Sequence, residues 1–162
     1  MTKLLFSLLG LFLVTSLFAQ KPLRYKNEVF GQIDSTLNIP YGASKNIQGE
    51  QATLYLDFYA PHADTLKKRP IVVFVHGGGF VNGDKRTGYS RVVSENLTRR
   101  GFVVGSINYR LGIEEPKSNV SYFEAMIRAV QDAKAAIRFF RKHAQAYGVD
   151  TTKIYLAGGS AG

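Results

Sequence analysis

The chain has 162 residues, 45% of them hydrophobic and 20% charged, which is the composition of an ordinary globular protein rather than a disordered or fibrous one. It contains no cysteine, which excludes a disulfide framework, a thiolate metal site and a cysteine nucleophile. The net charge is +9, but the basic residues are scattered and no recognition-helix or stacking-aromatic pattern accompanies them. We therefore expect no nucleic-acid partner.

The amino-terminal segment, residues 1–19, is predicted to be a secretory signal peptide. Lys3 gives a positive start, residues 4–18 are almost wholly apolar, and Ala19 supplies a small residue before the cleavage point. The apolar run is short for a bilayer span, which needs roughly 20 residues, so we favour cleavage after Ala19 over a membrane anchor. The sequence thus predicts a secreted or periplasmic protein without a stable membrane anchor, whose mature part is 20–162.

The first part of the mature chain is predicted to contain two strands around a turn-rich piece. A weak strand signal covers residues 27–33. Residues 38–49 carry proline and glycine breakers and are predicted to be turns. Residues 52–59 alternate between apolar and polar like a half-buried strand, which Pro61 ends.

From residue 71 the pattern changes to buried strands that alternate with helices. The continuous apolar run 71–75 predicts a strand buried on both faces, which is typical of parallel sheets. Residues 89–100 predict a helix with Gly101 as its stop, and 102–107 predict a second buried strand. One side of that helix carries Val92, Val93, Asn96 and Leu97.

The strongest helix signal lies between residues 121 and 148. Ser121 and Glu124 match a capping box, and Gly148 is the expected stop. Apolar residues recur at spacings of three and four and are predicted to form its buried face: Phe123, Ile127, Val130, Ala133, Ile137, Phe140, Ala144 and Tyr147. A short apolar strand over 153–157 follows, so the order of elements predicts βαβ units and an α/β fold.

The segment directly after this last strand has the pattern G-x-S-x-G. Residues 158–162 are Gly-Gly-Ser-Ala-Gly, the pattern of a serine nucleophile on a sharp turn between a strand and a helix. The glycines permit a tight turn, which exposes the Ser160 hydroxyl above the edge of the sheet. A turn of small residues without any function has the same pattern, but its position after a buried strand favours the nucleophile.

A second glycine-rich segment, His76-Gly77-Gly78-Gly79-Phe80, follows the buried strand 71–75. Successive glycines leave backbone N–H groups uncovered, and two of them directed at one oxygen make an oxyanion hole. A flexible loop is one alternative. A phosphate-binding loop is another, but Asp84-Lys85 does not complete the required spacing and no Ser or Thr follows Lys85.

Taken together, the two segments resemble those of the α/β-hydrolase superfamily. Within it the chain is most similar to esterases and lipases with an H-G-G-G loop, of the hormone-sensitive-lipase-like and type-B-carboxylesterase-like groups. The resemblance covers about residues 54–162 and rests on four stretches in the same order: 76–80, 107–112, 132–136 and 158–162. It implies the amino-terminal part of an α/β-hydrolase fold, a mostly parallel sheet flanked by helices.

The resemblance also implies roles for individual residues. Ser160 would be the catalytic nucleophile, and the backbone N–H groups of Gly78, Gly79 and Ala161 would form the oxyanion hole. His76 would support the loop rather than act as the base. Arg110 and Asp132 would form a structural ion pair. The implied activity is that of a serine carboxylesterase on a small-molecule or acylated-carbohydrate ester, with no cofactor and no metal.

One departure from the superfamily pattern concerns the catalytic triad. In α/β-hydrolases the acid and the histidine follow the serine along the chain. Both would therefore lie after Gly162, and we expect 20–162 to be an incomplete domain, truncated at the nucleophile and inactive alone. The strand 154–157 would then be an exposed apolar edge. A non-catalytic relative remains an alternative, as does another acyl-transfer or peptide-cleaving member of the superfamily.

Overall fold

The computed structural model describes residues 23–162, so the predicted signal peptide lies outside the described residues. The described chain forms β1 (Ile33–Lys45), β2 (Gln51–Pro61), β3 (Arg69–Val75), α1 (Gly88–Arg99), β4 (Val103–Ile107), α2 (Asn119–Lys142), α3 (Ala144–Tyr147) and β5 (Val149–Gly158). The alternation of strands and helices that the sequence predicts from residue 71 onward is present.

These strands form one sheet in the order β1-β2-β4-β3-β5. β3 runs parallel to both β4 and β5, whereas β2 is antiparallel to β1 and β4. The sheet is therefore mixed, with a parallel part built from β4, β3 and β5. Because the carboxyl ends of parallel strands meet at one edge of a sheet, the segments after Val75, Ile107 and Gly158 are brought together there.

The core lies on both faces of the sheet, as expected for strands with continuous apolar sequences. On one face α2 packs through Ala129, Ala133 and Ala136, and its Phe140 ring is fully buried. On the other face α1 contributes Val93 and Leu97, both partly buried against β3 and β4. Burial of β3 on both sides fixes the position of the loop that follows Val75.

The helix α1 occupies nearly the predicted range, but its buried face differs from the prediction. Val92 and Asn96 are exposed, whereas Ser90, Ser94 and Thr98 are buried. Burial of these hydroxyl residues is permitted because the helix itself accepts their hydrogen bonds: Ser94 Oγ donates to the Ser90 carbonyl at 2.7 Å, and Thr98 Oγ1 donates to the Ser94 carbonyl at 2.8 Å.

The helix α2 begins earlier than predicted and ends earlier. Its N-cap is Ser118, which forms a capping box with Ser121, so the predicted box of Ser121 and Glu124 is wrong. The helix ends at Lys142, and Gly148 instead ends the short α3 with a left-handed backbone (φ +60°). The apolar spacing continues through Ala144 and Tyr147, so the sequence does not show that the helix is interrupted at His143.

The buried face of α2 is partly mispredicted. Ala133 and Phe140 are buried as expected, but Phe123, Ile127 and Val130 are exposed. The positions buried in their place are mostly small, Ala125, Ala129 and Ala136, together with Asp132. Small side chains allow a helix to approach a sheet closely, and the apolar period alone does not show which of two adjacent stripes faces the sheet.

The remaining corrections concern strands. β1 covers most of the piece predicted as turns, with pairing irregularities at Thr36/Ile39 and Pro40/Gly42 that accommodate the breakers. β5 is an outer strand of the described sheet, and its Tyr155 and Leu156 are exposed, as the sequence predicts for this edge. Neither α1, α2 nor α3 is long and apolar enough to cross a bilayer.

Candidate active site

The predicted nucleophile lies on a tight turn directly after β5. Ser160 has φ +58°, a left-handed backbone that residues with side chains rarely adopt. The Gly162 N–H donates to the Gly159 carbonyl at 3.0 Å and closes the turn. A Cβ atom on Gly158 would lie 2.8 Å from the Val75 carbonyl oxygen, so a glycine is needed where the turn packs against the end of β3. Strain of this kind is characteristic of a nucleophile turn.

The predicted oxyanion loop follows β3, and His76 holds its first peptide. The His76 ring is buried, stacks on Tyr109 with centroids 4.5 Å apart, and places Nδ1 2.7 Å from the Gly77 carbonyl oxygen. Because a carbonyl only accepts hydrogen bonds, Nδ1 carries the proton. In a trans peptide the N–H points opposite to the C=O, so the Gly78 N–H is directed away from the His76 ring.

The two glycine-rich turns are in contact. A Cβ atom on Gly77 would lie 2.8 Å from the Gly159 carbonyl oxygen and 3.1 Å from Ser160 Cβ. Gly77, Gly78, Gly159 and Ser160 line one open cleft of about 690 Å³ at the carboxyl ends of β3 and β5. Gly79 and Ala161 are next to these residues in the chain but do not line the cleft.

Several backbone donors of this region are unpaired among the residues that the structure describes. The N–H groups of Gly78, Gly79 and Ala161 donate to no protein acceptor, and the same holds for those of Gly77 and Phe80. Gly78 and Gly79 have φ angles of +126° and +61°, which only glycine adopts readily. Unpaired N–H groups beside an exposed hydroxyl are what an oxyanion hole requires, although the roles of these residues remain predictions.

The cleft also contains residues that sequence reasoning missed: Asn82, Gly83, Thr87, Tyr89 and Ser90. Tyr89 is 65% exposed, and a Cβ atom on Gly159 would lie 3.1 Å from its ring. It is the aromatic wall of a cleft otherwise lined by small and polar residues. It lies at the start of α1, after the glycine loop, and no sequence motif includes it.

The other predicted residues lie outside the cleft. Arg110 and Asp132 form the expected buried ion pair: Nη2 donates to Oδ1 at 2.8 Å, and Asp132 also accepts the Arg110 backbone N–H at 2.8 Å. This pair joins α2 to the segment after β4. Tyr109 belongs to the support of His76 rather than to the cleft.

All three histidines of the chain are engaged away from the Ser160 hydroxyl. His62 Nδ1 lies 2.9 Å from Asp34 Oδ1 on the surface, and His76 supports the glycine loop. His143 caps α2, with its ring 4.7 Å from that of Phe139. None of them is placed as a base for Ser160, in agreement with the sequence analysis.

Two further clefts lie elsewhere in the described chain. One, of about 440 Å³, lies between β1 and α2, and the other, of about 860 Å³, lies at the amino ends of β3 and β5. Neither is lined by a predicted catalytic or oxyanion residue. The chemistry of the cleft at Ser160, not its size, makes it the candidate site.

Comparison with known proteins gives a consistent result. The BD-FAE family model matches residues 56–162. The isoprenylcysteine alpha-carbonyl methylesterase of Arabidopsis thaliana is 35% identical over 117 residues, which cover 72% of this chain and 24% of that protein. Esterase LipI of Mycobacterium tuberculosis is 32% identical over 105 residues, which cover 65% of this chain and 30% of that protein.

Solved structures show the same similarity. Native esterase Est2 of Thermogutta terrifontis is 32% identical, with a TM-score of 0.59, and the match covers 86% of this chain and 44% of Est2. The same esterase has been solved with butyrate or propionate bound and after phosphoramylation by tabun. The chain spans less than a third of the length of the curated relatives named above and less than half of Est2.

Proposed function

Because the chain belongs to the BD-FAE family of α/β-hydrolases, we propose that the protein is an exported serine carboxylic-ester hydrolase that acts through an acyl-Ser160 intermediate. The esterases among its relatives and structural neighbours support ester hydrolysis. The single observation that carries the proposal is the contact between the strained Ser160 turn and the glycine loop with its unpaired N–H groups.

The proposed reaction has two steps. Ser160 Oγ attacks the ester carbonyl carbon while a base takes the hydroxyl proton, and the carbonyl oxygen becomes an oxyanion. The N–H groups of Gly78, Gly79 and Ala161 donate to that oxygen. The alcohol leaves with the proton, and water then attacks the acyl-serine in the same way, which releases the acid and restores the hydroxyl.

The base and its acid partner are proposed to come from outside the described residues. The histidines at 62, 76 and 143 are engaged elsewhere, and α/β-hydrolases carry the acid and the histidine after the serine. We accordingly propose that this chain is the amino-terminal part of a longer enzyme. The chain covers only 24% of the Arabidopsis methylesterase and 44% of Est2, which supports the proposal of a longer enzyme.

The substrate is proposed to be a small carboxylic ester, either free or on an acylated carbohydrate. The butyrate and propionate complexes of Est2 support a short acyl group. The cleft is open and has one aromatic wall, Tyr89, which supports access for either kind of alcohol. Export rests on the predicted signal peptide 1–19, and a mature protein that retains these residues would contradict it.

The test is esterase activity of the full-length protein and of Ser160→Ala. We expect hydrolysis of p-nitrophenyl acetate and butyrate, little hydrolysis of the matched anilides, and a decrease in kcat of more than about 10⁴-fold for Ser160→Ala. Ser35→Ala, which changes an exposed serine of β1, is the control and should retain full activity. A folded, inactive wild type supports a non-catalytic relative, and preferred anilide cleavage supports an amidase.

A further inference from the structure

We propose that Asp57 is a positioning residue for the oxyanion loop: its buried carboxylate holds Lys85 and Arg86, and through them the glycine turn opposite Ser160. This inference rests on the proposed function of the cleft. Asp57 lies on β2, outside the cleft, and none of the sequence motifs includes it.

The Asp57 carboxylate is completely buried and fully engaged. It accepts hydrogen bonds from the Asn38 backbone N–H at 2.7 Å and from Arg86 Nε and Nη2 at 2.5 and 3.1 Å. Lys85 Nζ lies 3.4 Å from the same carboxylate. A buried carboxylate is costly unless it is paired, so these donors are needed to keep Asp57 ionised inside the protein.

Lys85 is the counterpart of this carboxylate in the loop. Only 3% of Lys85 is exposed, and its ammonium group donates to Asn38 Oδ1 at 3.0 Å in addition to its contact with Asp57. Moving a buried ammonium group away from its carboxylate would leave an uncompensated buried charge, which is strongly destabilising. Asp57 therefore fixes where the returning limb of the glycine loop, residues 84–86, lies on the sheet.

The backbone of that limb is held at the same place by β4 and by Asn108, which directly follows β4. The Lys85 N–H donates to Asn108 Oδ1 at 2.6 Å, and Ser106 Oγ donates to the Lys85 carbonyl at 2.8 Å. Asn108 Nδ2 donates to Asp84 Oδ2 at 2.8 Å. Side chains from β1, β2 and β4 thus converge on one short segment of the loop.

A direct path connects this segment to the oxyanion donors. Gly83, which precedes Asp84, packs so closely on the Gly77 carbonyl and the His76 ring that any Cβ atom there would overlap them. The Asn82 N–H donates to the Gly78 carbonyl at 3.1 Å. A shift of the limb therefore moves the peptides that carry the predicted oxyanion donors.

The chemistry of the cluster favours positioning over stability alone. A buried ion pair contributes little net stability compared with apolar residues of similar size, and in this cluster its directional bonds hold Arg86 against Asp57. Burial alone would raise the pKa of the Asp57 carboxyl, yet the hydrogen bonds from Arg86 and Asn38 and the charge of Lys85 outweigh burial and lower it. The Asp57 carboxylate is thus charged throughout the neutral pH range.

The test compares Asp57→Asn with wild type in the full-length protein. We expect kcat for p-nitrophenyl butyrate to fall about 10- to 100-fold while KM changes less than about threefold, since a displaced donor acts on the transition state. We also expect faster hydrogen exchange at the Val81 and Asn82 amides, which donate to the Gly78 carbonyl, with unchanged exchange in β3 and β4. Asp34→Asn, which changes an exposed carboxylate, is the control.

Arg86→Gln is the second variant, because the Arg86 side chain is 39% exposed and its replacement leaves the Asp57–Lys85 pair intact. Arg86→Gln should lower kcat and speed exchange at the Val81 and Asn82 amides, but less than Asp57→Asn does. Arg86→Lys should restore part of the activity. Unchanged loop exchange in both variants, or equally faster exchange throughout the sheet, would overturn the positioning role. A wild type without esterase activity would instead refute the proposed function, and the exchange measurement would still decide the role of Asp57.

Discussion

Gly77 lies where the two glycine-rich turns touch, and the space between them does not admit a Cβ atom at this position. In Gly77→Ala the new Cβ would lie 2.8 Å from the Gly159 carbonyl oxygen and 3.1 Å from Ser160 Cβ, so one turn must move. Because loss of one oxyanion donor typically costs about 10²–10³ in rate, we expect a decrease in kcat of that order, measured on p-nitrophenyl butyrate with the full-length protein.

The matched control for Gly77→Ala is Gly88→Ala, at the first position of α1. A Cβ atom on Gly88 meets nothing within 4 Å, so this variant should retain the activity of the wild type. If Gly77→Ala is as active as Gly88→Ala, the two turns do not need the close contact that the structure gives them.

At the scale of single residues, the sequence indicated candidate site residues only where they belong to motifs. Ser160 and the loop 76–80 are recognisable because glycine and serine at fixed spacing have few other uses. Asp57 was missed because the alternation of residues 52–59 assigns it to the polar face of β2, whereas the structure buries it. Its partners Lys85 and Arg86 are distant in the chain, and only the folded sheet brings them together.

Helix α2 is positioned on the sheet by an aromatic ring over a glycine. A Cβ atom on Gly105 of β4 would overlap the Phe140 ring, which is fully buried. We expect Gly105→Ala to lower the free energy of unfolding by about 1–3 kcal/mol, because a packed core tolerates an added methyl group poorly. Urea unfolding of the full-length protein measures the change.

The control for Gly105→Ala is Gly31→Ala, whose added Cβ atom would meet nothing within 4 Å. It should change the free energy of unfolding by no more than about 0.5 kcal/mol. Equal stability of the two variants would mean that Phe140 does not pack on β4 as described.

At the scale of elements, helices and buried strands were predictable where a single pattern dominates. The run 71–75 is apolar throughout, and 102–107 is apolar except at Gly105 and Ser106, which indicates burial on both faces. The face of α2 was not predictable, because Phe123 and Ile127 keep the apolar period while Ala129 and Ala136 make the contacts. β1 was missed because Pro40 and Gly42 indicate turns, yet an outer strand with irregular pairing tolerates them.

For the molecule as a whole, the sheet determines which segments of the chain lie together. The parallel strands β3 and β5 end side by side, so the two glycine-rich segments meet although more than 80 residues separate Gly77 from Ser160. The order of strands and helices predicted βαβ units, but only the resemblance to α/β-hydrolases implied that these two segments meet. The exposed apolar residues on α2 and β5 were predictable only in part, since the exposed stripe of α2 was expected to be buried.

The central claim is that Ser160 is a nucleophile activated by the assembled site. The most direct measurement is mass spectrometry of the full-length protein after reaction with a fluorophosphonate, the class of chemistry suggested by the tabun adduct of Est2. We predict one adduct, on the peptide that contains Ser160, and none in Ser160→Ala or in the denatured protein. An adduct on another residue, or an active esterase that gives no adduct at Ser160, would contradict this account.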